Sequence, residues 1–296
     1  MRVGLDRDTR RRVKDWGMAV ACLACVVIAL IPLVSILVEA TARGLPAIGP
    51  GFFTETQPEP CSPQLSGSCP TGGIANALEG TLILIGLAAL VAIPFGILVG
   101  VYLSEYGHGR LGRSIRFFTD VMTNIPSIVV GIFVYGLFVA VARSIVFSAI
   151  AGGLALATIM IPIVARTSEE ALRLVPTATR EAALALGVPK YRVILRVVLS
   201  SGRSALVTGA LLGVARVGGE TAPLIMTGFG NPFLFQGLDH PIDSLTLRIF
   251  YYGISPFGNW QNLAWGAALV LIVVMLGISI ASRVALRSRF AREAVR

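Results

Sequence analysis

Six long apolar runs, near residues 16–38, 76–103, 119–142, 144–165, 204–229 and 260–284, constrain this chain more than any other feature. Each approaches or exceeds the roughly 20 residues that a helix rising about 1.5 Å per residue needs to cross a hydrocarbon core of about 30 Å. Lipid offers exposed backbone no hydrogen-bond partner, so each run must close its own bonds as a helix. Val-, Ile- and Phe-rich stretches that would read as strands in water are therefore expected as helices. The composition agrees: 55% of the 296 residues are hydrophobic and 14% are charged, too few charges to cover a soluble domain of this length. The expected class is all-α, a polytopic membrane protein with six transmembrane helices, which excludes a soluble enzyme or a disordered tail.

A net charge of +9 would suggest nucleic acid in a soluble protein, but its distribution carries another meaning. The N-terminal tail holds Arg2, Arg7, Arg10, Arg11, Arg12 and Lys14, the loop at 104–118 holds Arg110, Arg113 and Arg116, and the loop at 166–203 and the C-terminal end hold seven and five more. The intervening loops carry one each, Arg43, Arg143 and Arg248, and Arg216 is left inside a span. Rich and poor loops alternate, so the positive-inside rule puts both termini in the cytoplasm, as an even number of spans requires. The excess is an orientation signal, and no nucleic-acid partner is expected.

The resulting organisation is a cytoplasmic basic tail at 1–15, a first transmembrane helix at 16–38, an extracytoplasmic loop at 39–75, a core of five transmembrane helices at 76–285 and a cytoplasmic tail at 286–296. Ala40, Thr41 and Ala42 resemble a signal cleavage site, but the apolar stretch at 18–38 is longer than the roughly 7–15 residues of a signal core. A retained helix is expected. Cys22 and Cys25 lie within it as small packing residues. Cys61 and Cys69 fall in the outward Pro- and Gly-rich loop, where an oxidising exterior permits a bridge between them; the alternative is two reduced thiols.

Two features exceed what membrane solvation demands. The loop at 166–203 is long and patterned: Thr179–Leu186 favours helix, Gly187 can end it, and Val188-Pro189 opens a second turn. Two short helices joined by a sharp bend are expected, with a helix end projecting into the cytoplasm. The second feature is Arg216 and Glu220, four residues apart on one face of the fifth span.

Glu181-Ala182-Ala183, three residues and then Gly187 resemble the EAA loop of ABC importer permeases, which implies a coupling helix seated in a groove of an ATPase subunit. Val197 and Leu199 continue the motif, while Ser200 stands where Pro is usual. From about Gly73 onward a closer resemblance covers most of the chain. Gly72–Leu78, Tyr102–Gly107, Pro126–Gly131 and above all Ala215–Leu224 are similar to the PstA-type permeases of phosphate ABC importers. The resemblance implies a type I ABC importer permease fold with an extra first span. It also implies a second, related permease, two ATPase subunits and an extracytoplasmic phosphate-binding protein as partners.

The chain itself lacks a catalytic constellation. Neither lysine, Lys14 or Lys190, follows a Gly as a P-loop requires. The two histidines, His108 and His240, share no metal-ligand spacing with each other or with a cysteine. No cofactor or metal is expected.

Intramembrane charges face a bundle interior or an aqueous path, because each costs about 2.5–3.5 kcal/mol at bilayer depth. Arg216 and Glu220 are thus either a self-neutralising pair that locks the helix or an arginine on the substrate pathway restrained by a carboxylate. Thr221 and Ser127 add hydroxyls that either donate to an anion or pack. Arg166, at the end of the fourth span, either snorkels or supplies a second cation at the inner mouth, within reach of Glu169 or Glu170. Gly96 with Gly100, and Gly209 with Gly213, allow close helix contact. In the outward loop at 230–259 a short helix is expected behind Asp243, a possible N-cap, with Trp260 and Trp265 anchoring the last span. The expected function is inward translocation of inorganic phosphate, driven by ATP hydrolysed on partner subunits. The alternatives are a sulfate or molybdate permease, an ion-coupled secondary transporter, or a signalling role alongside transport.

Overall fold

The computed structural model describes residues 3–61 and 72–293, and its regular elements are helical. In chain order they are α1 (Val3–Ala47), α2 (Ala75–Glu105), α3 (Arg110–Asn124), α4 (Ser127–Val141) and α5 (Ala149–Arg173). They continue with α6 (Thr177–Ala185), α7 (Lys190–Val217, π-wound over Val193–Val198), α8 (Ala222–Thr227), α9 (Leu245–Gly253) and α10 (Gly258–Glu293).

The core is built on α5. Leu84, Ala88 and Ala92 of α2 bury against Leu156, Met160 and Val164 of α5, joined by Val217 and Leu224. Small residues let the backbones approach: a Cβ added to Gly100 would lie 2.9 Å from the Ala165 carbonyl oxygen, and one on Gly96 2.7 Å from Val164 Cβ. On an adjoining face, reached by the same Val164, Gly209 and Gly213 of α7 admit Thr167, Val164 and Met160 in the same way. The contacts advance together along α2 and α5 but run in opposite senses along α5 and α7, so α2 is parallel to α5 and α7 antiparallel to it. Ser148 starts α5 by accepting the Ala151 N–H at 3.1 Å.

The helix α1 stands apart, its most apolar 18 residues exposed throughout, and touches the bundle through α10. There the Arg43 guanidinium lies 5.3 Å from the centre of the Trp265 ring, and Gly44 abuts Leu269. It continues to Ala47, past the expected end at residue 38.

Two expected spans are broken. The third, expected as one run at 119–142, is two helices, α3 and α4, meeting at 104°. Pro126 has no N–H to continue the ladder, and Ile125 before it is extended, at φ −69° and ψ 131°. At 15 residues, α4 rises only about 22 Å. Five of the described helices are long and apolar enough to cross a membrane alone, and a sixth crossing needs α3 and α4 together. The fifth span, expected as one helix over 204–229, stops at Val217 and resumes as α8 with Pro223 in its first turn.

Near the start of α2, Arg248, expected as a loop charge, is buried at 6% exposure. It pairs with Asp243, also donates to Gln57, and reaches Tyr252 Oη at 3.2 Å and the Asn231 carbonyl at 2.9 Å. Asp243 therefore does not cap α9. Ser244 does, accepting from Leu247 N–H at 3.2 Å.

Candidate functional site

The break between α7 and α8 carries the membrane charges. Arg216 sits in the last turn of α7, and Glu220 lies beyond it in the link to α8. They do not share one continuous helix, yet Arg216 Nη1 donates to Glu220 Oε1 at 2.5 Å. The carboxylate is buried and its backbone carbonyl accepts from Thr246 Oγ1 at 3.0 Å, whereas the arginine side chain is 61% exposed. A buried carboxylate thus tethers a guanidinium that still presents donors outward. Thr221 is half-buried and its carbonyl accepts the Leu224 and Ile225 N–H groups that begin α8. A Cβ on Gly131 would sit 2.7 Å from Pro223 Cα, which brings the first turns of α4, beginning at Ser127, to the level of this break.

Arg166 belongs to a different cluster. The Thr167–Gly209 contact puts it level with residue 209 of α7, seven residues and so about 10 Å along the axis from Arg216. Its guanidinium faces three carboxylates, Glu170 at 3.5 Å, Glu169 at 3.7 Å and Asp120 at 3.9 Å. The central member is Glu169, 2% exposed, whose Oε1 takes Arg116 Nε and Arg173 Nη2, both at 2.7 Å. Arg116 also donates to the Gly107 and Leu103 carbonyls, fastening α3 under the ends of α2 and α5. Arg166 contacts both of the glutamates expected for it. Arg173 lies one turn after Glu169 on α5, a local pair that the spacing alone permits, whereas Arg116 was legible only as an orientation charge, because nothing local marks the fold that brings it to Glu169.

The patterned loop forms α6 between two prolines. Pro176 precedes its first turn, where a missing N–H costs nothing. At its other end Gly187 adopts φ +76°, donating to Leu184 O at 2.9 Å while Val188 donates to Ala183 O at 3.4 Å. That double return closes the helix and needs a left-handed residue. Glu181 and Ala182 are exposed and Ala183 is half-buried, packing under the cluster of Leu172, Val175, Val193 and Val198. Glu181 makes no ion pair or hydrogen bond among the described residues, so its carboxylate is open to a partner surface. The Lys190 ammonium lies 4.2 Å from the centre of the Tyr106 ring, tying the start of α7 to the end of α2.

In the first turn of α2, Asn76 Nδ2 donates to the Asn231 carbonyl at 2.6 Å and to Asp243 Oδ2 at 2.9 Å, joining α2 to the Asp243–Arg248 pair. Burial pushes the Asp243 carboxyl up to about 6, against the opposing pull of Arg248. A cavity of about 520 Å³ opens beside this cluster, walled by Tyr251, Tyr252, Phe257 and Trp260. Trp260 Nε1 donates to the Pro58 carbonyl at 3.1 Å and holds the segment after α1 down on it. Cys61, at the end of that segment, is disulfide-bonded, and Cys22 and Cys25 are free. Cys69 lies outside the described residues.

Solved structures share this arrangement. A bacterial alginate ABC transporter, in complex with an alginate pentasaccharide-bound periplasmic protein, aligns with a TM-score of 0.63 at 16% identity, over 92% of this chain and 94% of that one. The inward-facing MetNI methionine ABC transporter aligns at 0.62 and 18% identity, over 73% and 95%. At such identities the likeness is one of fold, and that fold is the permease subunit of a type I ABC importer. The family model for the binding-protein-dependent transport system inner membrane component matches residues 92–290. The phosphate transport system permease protein PstA of Yersinia pestis is 41% identical over 275 residues, 93% of this chain and 90% of its own. The corresponding PstA 1 of Mycobacterium tuberculosis is 40% identical over 277 residues, 92% and 87% of the two chains. The chain belongs to the binding-protein-dependent transport system inner membrane component family, in its PstA-type branch. It is a multi-pass protein of the plasma membrane.

Proposed function

We infer that this chain is the PstA-type permease subunit of an ATP-driven importer that carries inorganic phosphate across the plasma membrane. About 40% identity to phosphate permeases over nine-tenths of the chain supports the substrate. The observation that carries the mechanism is the tethered, exposed guanidinium of Arg216 at a helix break. An uncharged apolar constriction would strip hydration from an anion with no replacement. A free guanidinium would hold it bidentately, and conduction needs binding weak enough for release. Arg216 with one N–H committed to Glu220 offers positive potential without a deep trap. Thr221 and Ser127 add hydroxyl donors at the same level, and Arg166 supplies a second cationic position toward the inner mouth.

The drive comes from outside the chain. Two ATPase subunits close on ATP, and α6, with Glu181, Ala182, Ala183 and Gly187, seats in one of them as the coupling helix. A second, related permease completes the path, and an extracytoplasmic phosphate-binding protein delivers the anion to the outer face. Both termini lie in the cytoplasm, where the basic residues of the tails and of 166–203 are retained. No ATP site is assigned to this chain. Cys61 pairs with Cys69 in the outer loop, where the exterior is oxidising.

The test is uptake of radiolabelled phosphate by the complete importer in proteoliposomes, with binding protein and internal ATP. Competition by unlabelled phosphate but not by sulfate or molybdate is expected. Equal competition by sulfate would assign a broader oxyanion permease. Uptake without an ATPase subunit, driven by an ion gradient, would overturn the reading.

A further inference from the structure

The coupling helix is held in place by a residue outside the four-residue motif. α6 has nine residues and buries none of them fully, so neither its length nor its packing would keep it ordered. Beyond the packing of half-buried Ala183, one side chain supplies the polar anchorage. Arg180 points back toward the membrane and donates from Nη2 to the Leu172 carbonyl at 2.7 Å, from Nη1 to the Val175 carbonyl at 2.5 Å and from Nε to Glu105 Oε1 at 3.1 Å. The two carbonyls belong to the end of α5 and the turn after it, where helical geometry leaves acceptors short of donors; Leu172 O takes the Val175 N–H at 3.3 Å and the Leu174 N–H of the closing turn beside Arg180. Glu105 is the last residue of α2. Both side chains are largely withdrawn from solvent, at 18% and 8% exposure, so the charge-assisted bonds are weakly screened.

We propose that Arg180 is the positioning residue that fastens the coupling helix to α2 and α5 at once, so that a displacement of α6 moves both spanning helices as one body. The proposal rests on the reading of α6 as the coupling helix. The path onward is packed throughout: α2 and α5 interlock at Gly96 and Gly100, and α5 meets α7 at Gly209 and Gly213, below Arg216. A guanidinium suits the position because its planar fork serves three acceptors in fixed directions, which an ammonium on a flexible stem does not.

The test uses the complete importer in proteoliposomes, measuring phosphate moved per ATP hydrolysed, together with cross-linking of an Ala182→Cys variant to a cysteine in the ATPase subunit. Arg180→Gln is expected to lower phosphate moved per ATP by about tenfold, within the ordinary range of coupling between sites, while ATP hydrolysis and the cross-link persist. Glu105→Gln keeps both carbonyl bonds and a neutral acceptor and should stay within about twofold of the parent, with Arg180→Lys between the two. An unchanged ratio in assembled Arg180→Gln complex overturns the clamp. If that variant does not assemble, an unchanged ratio in Arg180→Lys overturns it equally and a reduced ratio supports it. Absence of the cross-link in the otherwise unaltered complex overturns the coupling reading itself, and the clamp with it.

Discussion

Arg216 Nη1 and Glu220 Oε1 are 2.5 Å apart across the end of a helix, with α7 stopping between them at Val217. The pair therefore does more than a surface i,i+4 contact, because it spans the break and ties the last turn of α7 to the link that leads into α8. The Glu220 backbone carbonyl accepts from Thr246 of α9, so the exposed guanidinium is paired with a buried carboxylate whose main chain is fastened to α9. Arg216→Gln should abolish phosphate uptake, by at least about a hundredfold, while the complex still assembles. Glu220→Gln should also lower uptake, because it frees Arg216 to hold phosphate more tightly. Radiolabelled uptake beside a pull-down of the partner subunits checks both, and wild-type uptake by Arg216→Gln would remove that residue from the path.

Gly187 has open space around the position of a Cβ, so a side chain there meets no clash. What it meets is the backbone, at φ +76°, where an L-residue costs about 1–2 kcal/mol. Gly187→Leu should therefore loosen the end of α6 and separate ATP hydrolysis from transport, and Gly187→Asn, which tolerates the left-handed region, should fall closer to the parent. Phosphate moved per ATP in proteoliposomes distinguishes the two.

Removing the carboxylate at the centre of the arginine cluster should be costly. Glu169 is 2% exposed and accepts from Arg116 and Arg173, and hydrogen bonds to charged groups contribute about 1.5–3 kcal/mol each when the partner is left behind. Glu169→Gln should lower the thermal midpoint of the detergent-solubilised protein by several degrees. Glu170→Gln, at 67% exposure, should leave it nearly unchanged.

Asp243 sets a pH dependence whose sign follows from burial. Its carboxyl rises from 3.8 to about 6 in the folded protein, so between these values the folded state keeps a proton that the unfolded chain has released. Stability attributable to this group is full below pH 4, falls as pH rises through about 6, and is level above about 7. The difference in thermal midpoint between the parent and Asp243→Asn should follow that course between pH 4 and 7. A flat difference would show that Arg248 holds the carboxylate ionised throughout.

Much of the fold was legible because lipid reduces the choices open to a chain. The apolar runs had to become helices, and the Gly pairs at 96 and 100 and at 209 and 213 had to mark close contacts, since they are small side chains at one-turn spacing. The short helix α6 was readable for a similar reason: helix formers, a glycine that must go left-handed and a following proline are all local. A bend at Pro126 was legible but its size, 104°, was not, because a proline inside an apolar run is compatible with a kinked span or a broken one, and packing against α8 at Gly131 favours the break. Asp243 looked like a cap because of its position before α9. Its pairing with Arg248 became visible only when Asn76, from 167 residues away in the chain, closed over it.

The sequence by itself determined that this chain is a bundle of membrane helices and that one loop carries a short helix of its own, because hydrophobic length and turn chemistry act over a few residues at a time. Tertiary structure alone decided where the helices break and which charges find each other: Arg180 with Glu105, Arg116 with Glu169, Arg248 with Asp243. Each arginine counts equally as an orientation signal along the chain. Burial separates them, because a charge removed from water must be met by a partner that only the packed helices bring within reach.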